Sequence, residues 1–395
     1  MLPPFNPLNP KFRADPYPFY ARYRAEDPVH WAGAPDHKGP GAWYLFRYRD
    51  AMTALKDSRL GRQNRNFLPP EPIRDMFAQW MLFRNPPDHT RLRALVSKAF
   101  TNQVAERLAP SIQEVADFLI DQVQPSGAMD IILHYASPLP VIVIAEMLGI
   151  PAEDRDQFRK WSIDVVMAVD FCFTKDEIAI ASKAALELYE YLRGIVAARR
   201  RQPREDLIST LIAAEEQGDK LNEEELVSMC MLLLGAGHET SVNLIGNGML
   251  ALLRHPEEIA RLQQQPELME TAVEELLRFD CPVQMTFREA YEDLELAGFP
   301  IRRGEQVGIL LGAANRDPEQ FPDPDVLNLA RTPNRHSSFG MGIHFCLGAP
   351  LARLEARIAF ETLLRRLPAM QISAPALEWR KGILFHGLKS LPIGW

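Results

Sequence analysis

The sequence predicts a mainly helical fold with small β-sheets, on three observations. Apolar residues recur at helical spacing through most of the 395 residues, strand-like alternation is confined to a few short stretches, and no change of composition marks a point of division. A single domain over 1–395 is therefore expected. Helical spacing covers 17–26, 50–56, 89–99, 103–122, 141–148, 155–170, 175–199, 207–215, 223–254, 260–279 and 351–366, and prolines punctuate many of the ends. The helix over 223–254 has the clearest limits, with Asn222 as N-cap, Glu225 three positions on, and Pro256 just past its end. Strands are expected over 42–48 and in the pair LELAG and PIRRGEQVGILL, where Gly298 and Arg303-Gly304 read as turns.

A net charge of −8 gives no basic footprint for nucleic acid, and 47% hydrophobic content suffices for a large core. The N-terminus, MLPPFNPLNPKFRADPYPF, lacks the charge and apolar runs of a signal peptide and the ~18 apolar residues of a membrane span. A soluble, cytoplasmic protein with no membrane association is the expectation. Cys172, Cys230, Cys281 and Cys346 are scattered without a C-x-x-C pair, so neither a disulfide framework nor a zinc ribbon is expected. The first three sit in apolar surroundings and read as small core thiols.

Cys346 differs. It stands in HSSFGMGIHFCLGAPLARLEARIAF, among Gly340, Gly342 and Gly348, just ahead of a helix that has Pro350 near its first position. A helix N-terminus stabilises a thiolate through its unpaired N–H groups and dipole, and glycines permit close approach to something flat and bulky. His344 adds a donor two residues earlier. Such a thiolate suits a ligand to haem iron. Read from the residues alone, a buried cysteine in a glycine-rich turn and a Cys–His nucleophile pair compete with it.

The order of the whole string decides between them. Phe339, Gly340, Gly342, His344, Cys346, Gly348, Leu351 and Ala352 resemble the haem-binding loop of the bacterial, soluble cytochrome P450 family. That resemblance implies a haem-thiolate monooxygenase, with haem b (iron protoporphyrin IX) between the long central helix and the helix after the cysteine, and Cys346 as the metal ligand.

Further segments carry the same resemblance. MLLLGAGHETSVNLIGNGML spends four glycines inside a helix at about 1 kcal/mol each relative to alanine, a cost that close approach of a cofactor would explain. Its GAGHET lacks the third glycine and the strand-to-helix setting of a dinucleotide loop. Ala236, Gly237, His238, Glu239, Thr240 and Ser241 are similar to the family's oxygen-binding segment, which implies that the glycine leaves room for O2 and that Glu239 and Thr240 carry protons. Glu275 and Arg278, with Arg331 as third member, resemble its buried structural ion pair. His89 and Arg93 lie on one helix face, and with Arg288 and His336 they match the family's propionate-binding positions.

The chain has no flavin or iron–sulfur segment of its own, so the resemblance implies electrons from a ferredoxin or flavodoxin with its NAD(P)H-dependent reductase. Arg91, Lys98, Arg353 and Arg357 are candidates for a basic docking face. By the same analogy, 66–82, 161–173, Leu234, 283–286 and Phe385-His386 surround a pocket for an apolar small-molecule substrate, with Val165, Val166, Met167, Val169, Phe171 and Phe173 making it apolar. A peroxide-driven peroxygenase on the same fold and a non-catalytic haem carrier or gas sensor are the alternatives.

Overall fold

The protein is described here from a computed structural model, which covers residues 2–33, 41–62, 71, 73–97, 100–166, 168, 170, 174–215 and 221–395. Most of the expected helices form, and prolines and turns adjust their limits. The expected helix over 103–122 is two, Asn102–Arg107 and Ala109–Val123, meeting at Leu108. The one over 260–279 is also two, Pro256–Gln264 and Met269–Phe279, because Pro266 opens an intervening turn. The helix expected over 155–170 ends at Val166.

The central helix runs Glu223–Arg254 and is buried along nearly all its length. It opens with the expected capping box: Asn222 Oδ1 accepts from Glu225 N at 2.8 Å, and Glu225 Oε2 accepts from Asn222 N at 3.0 Å. Helices Pro138–Leu148, Arg155–Val166, Lys175–Arg201, Met269–Phe279 and Ala349–Arg366 pack around it. Two large clusters of aliphatic and aromatic side chains fill the spaces between them. The four glycines of the central helix serve this packing more than the sequence suggested. A Cβ on Gly246 would stand 2.5 Å from Ile132 Cδ1, and one on Gly248 2.5 Å from Phe360 Cζ. Those two are helix-contact glycines, and neither lines the cavity described below.

The principal sheet has five strands in the order Val29–Ala32, Ala42–Leu45, Gln306–Leu310, Met285–Ala290, Leu60–Gly61. Only the Ala42–Leu45 pairing with Gln306–Leu310 is parallel. Leu294–Leu296 and Phe299–Ile301 make the expected hairpin, turning through Ala297 and Gly298 with φ of 52° and 86°. The sheet matters to the site because Met285–Ala290 carries Thr286 and Arg288 to the cavity wall. Behind the helices, Glu275 is clamped from both sides. Arg278 Nε and Nη2 donate to it at 2.8 Å, Arg331 Nε at 3.1 Å, and Asn328 N at 3.0 Å. Arg278 and Glu275 are fully buried, so the expected three-member pair is a structural knot holding the segment before the cysteine loop.

Candidate functional site

The loop around Cys346 owes its path to two glycines. Gly340 and Gly342 take φ of 69° and 74°, and a Cβ on Gly342 would meet the Leu55 carbonyl oxygen at 2.6 Å. Cys346 N donates to Phe339 O at 2.9 Å, which folds the loop back on itself. Helix Ala349–Arg366 then starts with Pro350 in its first turn. Burial pushes the Cys346 thiol up, while the Gly348 and Ala349 amides, Arg93 and Arg353 pull it down. Coordination to a metal removes the proton outright, so the donors at the helix start hold charge that a ligating thiolate would carry. Cys230 and Cys281 are fully buried, and desolvation raises their thiols to about 12, as suits inert core cysteines. Cys172 lies outside the described residues.

Cys346 opens into a cavity of ≈ 350 Å³ between the cysteine loop and the central helix. Gly235, Ala236, Gly237, Thr240, Ser241 and Leu244 form one wall, and Phe339, Gly340, His344, Cys346 and Gly348 the other. Thr240 Oγ1 donates to Ala236 O at 2.8 Å. Glu239 turns away from the cavity. Its Oε2 accepts from Arg380 Nη1 at 2.8 Å and its Oε1 from Asn243 Nδ2 at 3.1 Å. Burial raises its pKa, and Arg380 and Asn243 work against that. Ser241 Oγ donates to Glu355 Oε2 at 2.9 Å, and burial pushes the Glu355 carboxyl up to about 7. Neither Arg380 nor Glu355 was singled out from the sequence.

Basic side chains gather at one edge. Arg62, His89, Arg93, Arg288 and His344 all line the cavity there. Arg93 Nη2 donates to Phe345 O at 2.6 Å, and Arg288 Nη1 to Phe287 O at 2.9 Å and Thr286 Oγ1 at 3.2 Å. Among the described residues no carboxylate pairs with Arg62, Arg93 or Arg288. His89 is buried with neither ring nitrogen partnered, and its ring lies 4.2 Å from that of His344. Burial and the neighbouring arginines lower both histidines, His89 to about 4, so both rings are neutral. Burial also drops Arg288 well below the usual guanidinium range. Buried charges without partners are costly, so this edge is built for an anion the polypeptide does not supply.

His336 belongs elsewhere. Its Nε2 lies 3.1 Å from Glu274 Oε2, Ser338 N donates to its Nδ1 at 3.2 Å, and it is absent from the described cavity lining. The expected propionate role is thus not where this ring points. Glu274 is also taken by Arg353, at 2.6 and 2.9 Å, and Arg353 lies over the Phe339 ring. The basic docking face is likewise largely balanced. Arg91 pairs with Glu225, Arg353 with Glu274, and Arg357 with Glu106 and Glu270; the Lys98 side chain lies outside the described residues.

The rest of the lining is apolar. Trp80, Met81, Leu82, Phe83, Ile144, Leu233, Val283, Met285 and Phe385 contribute. Leu234, Trp161, Val165, Val166 and His386 do not reach it: Leu234, Val165 and Val166 are core, and the His386 ring bridges Asp280 and the Arg13 carbonyl. Met167, Val169, Phe171 and Phe173 lie outside the described residues.

Comparison with known proteins agrees with this geometry. The Cytochrome P450 family profile matches residues 159–370. The chain is 45% identical to the polyketide biosynthesis cytochrome P450 PksS of Bacillus subtilis, over 98% of each chain. The chain belongs to the cytochrome P450 family. It is also 45% identical to the vitamin D(3) 25-hydroxylase of Pseudonocardia autotrophica, over 97% of this chain and 94% of that one. Its fold superposes with a TM-score of 0.92 on P450BioI in complex with hexadec-9Z-enoic acid ligated acyl carrier protein, at 42% identity, covering 98% of this chain and 100% of that one. As a P450 it is a haem-binding oxidoreductase of the monooxygenase class.

The residues present fit haem. Cys346 offers the thiolate, a Cβ on Gly348 would project into open space, and the unpaired guanidiniums answer the two propionates. Thiolate-ligated haem, when bound there, supplies O2 activation with electron density pushed onto iron. Among the described residues no helix is long and apolar enough to cross a membrane.

Proposed function

We propose that this P450 inserts one oxygen atom of O2 into a C–H or C=C bond of an apolar small molecule, with electrons from a separate ferredoxin or flavodoxin and its NAD(P)H-dependent reductase. The observation that carries the substrate class is the cavity's lining away from the cationic edge, formed by Trp80, Phe83, Ile144, Leu233, Val283 and Phe385. Apolar burial supplies about 25 cal/mol per Å² and no directionality, so shape decides which carbon is presented. PksS takes its name from polyketide biosynthesis and P450BioI was solved with an acyl chain on a carrier protein. Polyketides and long acyl chains, free and carrier-bound, are accordingly the first compounds to try.

The proton route proposed for the reaction runs through Thr240 and Glu239. Thr240 spends its hydroxyl proton on Ala236 O, which leaves its oxygen free to accept a hydrogen bond from the cavity. Glu239 sits one residue earlier in the helix, buried, and pairs with the partly exposed Arg380. A buried carboxyl with a raised pKa can hold and pass a proton in an otherwise dry site, and here its hydrogen bonds run to Arg380 and Asn243 on the side turned from the cavity.

The test is a turnover assay in which product, hydrogen peroxide and consumed reductant are counted together, with ferredoxin, its reductase, O2 and each candidate substrate. The reading expects product coupled to reductant in wild type, and in Thr240→Ala continued reductant use with less product and more peroxide. Product from added peroxide alone at an equal rate would favour a peroxygenase. Ligand spectra without oxygenated product would make the protein a carrier or sensor.

A further inference from the structure

Arg62 carries an unmet charge at the cationic edge. It follows directly on the short strand Leu60–Gly61, and its amide donates to Asn85 Oδ1 at 3.1 Å. Its Nη2 donates to Thr286 Oγ1, the hydroxyl that also accepts from Arg288 Nη1. Two guanidiniums therefore converge on one neutral oxygen, which holds them side by side without neutralising either. Arg62 Nε is buried and has no hydrogen-bond partner. Burial lowers its pKa to about 10. A fold that gathers like charges with no counter-ion among the described residues is arranged for one that arrives with a ligand.

We propose that Arg62 is a haem-propionate ligand of this P450, acting beside Arg93 and Arg288 in the place that sequence reasoning gave to His336. The inference rests on the haem reading of the cavity and is independent of the substrate. His336 is engaged by Glu274, whereas Arg62 lines the cavity with an unpartnered N–H. Thr286 holds the pair: one hydroxyl accepts from both guanidiniums and keeps them together at the cavity wall. Charge-assisted bonds from guanidinium to carboxylate are the stronger kind, and a planar fork is suited to them. A lysine at this position would keep the charge but has no planar fork to serve Thr286 and a carboxylate together.

The experiment measures transfer of haem from the holoenzyme to excess apomyoglobin, for wild type, Arg62→Gln, Arg62→Lys and His336→Gln. Loss should quicken roughly tenfold or more in Arg62→Gln, less in Arg62→Lys, and remain within about twofold of wild type in His336→Gln. A second arm loads the same proteins with haem dimethyl ester, whose propionates carry no charge. There the Arg62→Gln protein should lose its cofactor at the wild-type rate. A third arm melts the cofactor-free proteins, where Arg62→Gln should be no less stable than wild type, because it removes a buried charge that lacks a partner. Equal haem loss in wild type and Arg62→Gln overturns the proposal. So does a difference that persists with the dimethyl ester, or a cofactor-free Arg62→Gln protein that is less stable than wild type, since either would make Arg62 a structural residue. Failure of the wild type itself to take up haem would instead sink the underlying reading of the cavity.

Discussion

Glu239 Oε2 accepts a 2.8 Å hydrogen bond from Arg380 Nη1, joining a carboxyl buried in the central helix to a guanidinium that is 38% exposed near the C-terminus. Burial raises the Glu239 pKa and Arg380 is the largest influence opposing it. Replacing Arg380 by Gln removes that opposition, so the pKa moves further up and the carboxyl keeps its proton to higher pH. The ratio of product to reductant consumed, followed across pH, should shift its profile to the alkaline side in Arg380→Gln. An unmoved profile would separate Glu239 from the proton route.

Glu355 yields a prediction about stability. Its carboxyl is buried, held by Ser241 through one oxygen and unpartnered at the other, with a pKa near 7. Below the ordinary carboxylate range both folded and unfolded chains hold the proton, and the group costs nothing. Between that range and about pH 7 only the folded chain holds it, so stability falls as pH rises, by an amount on the order of 3 kcal/mol once pH exceeds the folded value. Glu355→Gln keeps a partner for Ser241 and does not titrate. Urea unfolding of the haem-free proteins should find the variant more stable than wild type at about pH 8, with the advantage vanishing toward about pH 4. A pH-independent difference would contradict the assignment.

Gly248 tests whether the central-helix glycines serve packing or cofactor. A Cβ there would press on Phe360, so Gly248→Ala should cost about 1–3 kcal/mol by overpacking. Adding Phe360→Leu should recover part of that loss, while the haem content of the purified protein stays at the wild-type level. Haem loss without loss of stability would restore the cofactor explanation.

These residues also mark what could be read in the chain before its structure. The cysteine loop was legible because its determinants are local: two glycines at positive φ, a thiol at a helix start and a proline in the first turn all fall within a dozen residues. The capping box of the central helix was legible for the same reason. Arg331 was placed with Glu275 and Arg278 by the family resemblance, not by anything local, and its Nε does donate to Glu275. Arg62 and Arg380 were missed since their meaning comes only from partners across the fold: a strand residue, Thr286, for one and a central-helix carboxylate for the other. The His336 ring is engaged by Glu274 and stands outside the described cavity lining, a contact that nothing in the local string announces. Gly246 and Gly248 show a different limit. A glycine inside a helix says that something comes close, and only the fold says that it is Ile132 and Phe360. Short strands such as Val29–Ala32 and Met285–Ala290 gave too little alternation to be called, and their pairing across the sheet makes them.

The claim on which all of this depends is that Cys346 is the thiolate ligand of the haem. The ferrous–CO spectrum tests it most directly, in wild type and in Cys346→Ala, with Cys230→Ala and Cys281→Ala as controls. Wild type and both controls should give the strongly red-shifted Soret band of a thiolate-ligated haem, and Cys346→Ala should give none. A red-shifted band of normal intensity in Cys346→Ala would contradict the account.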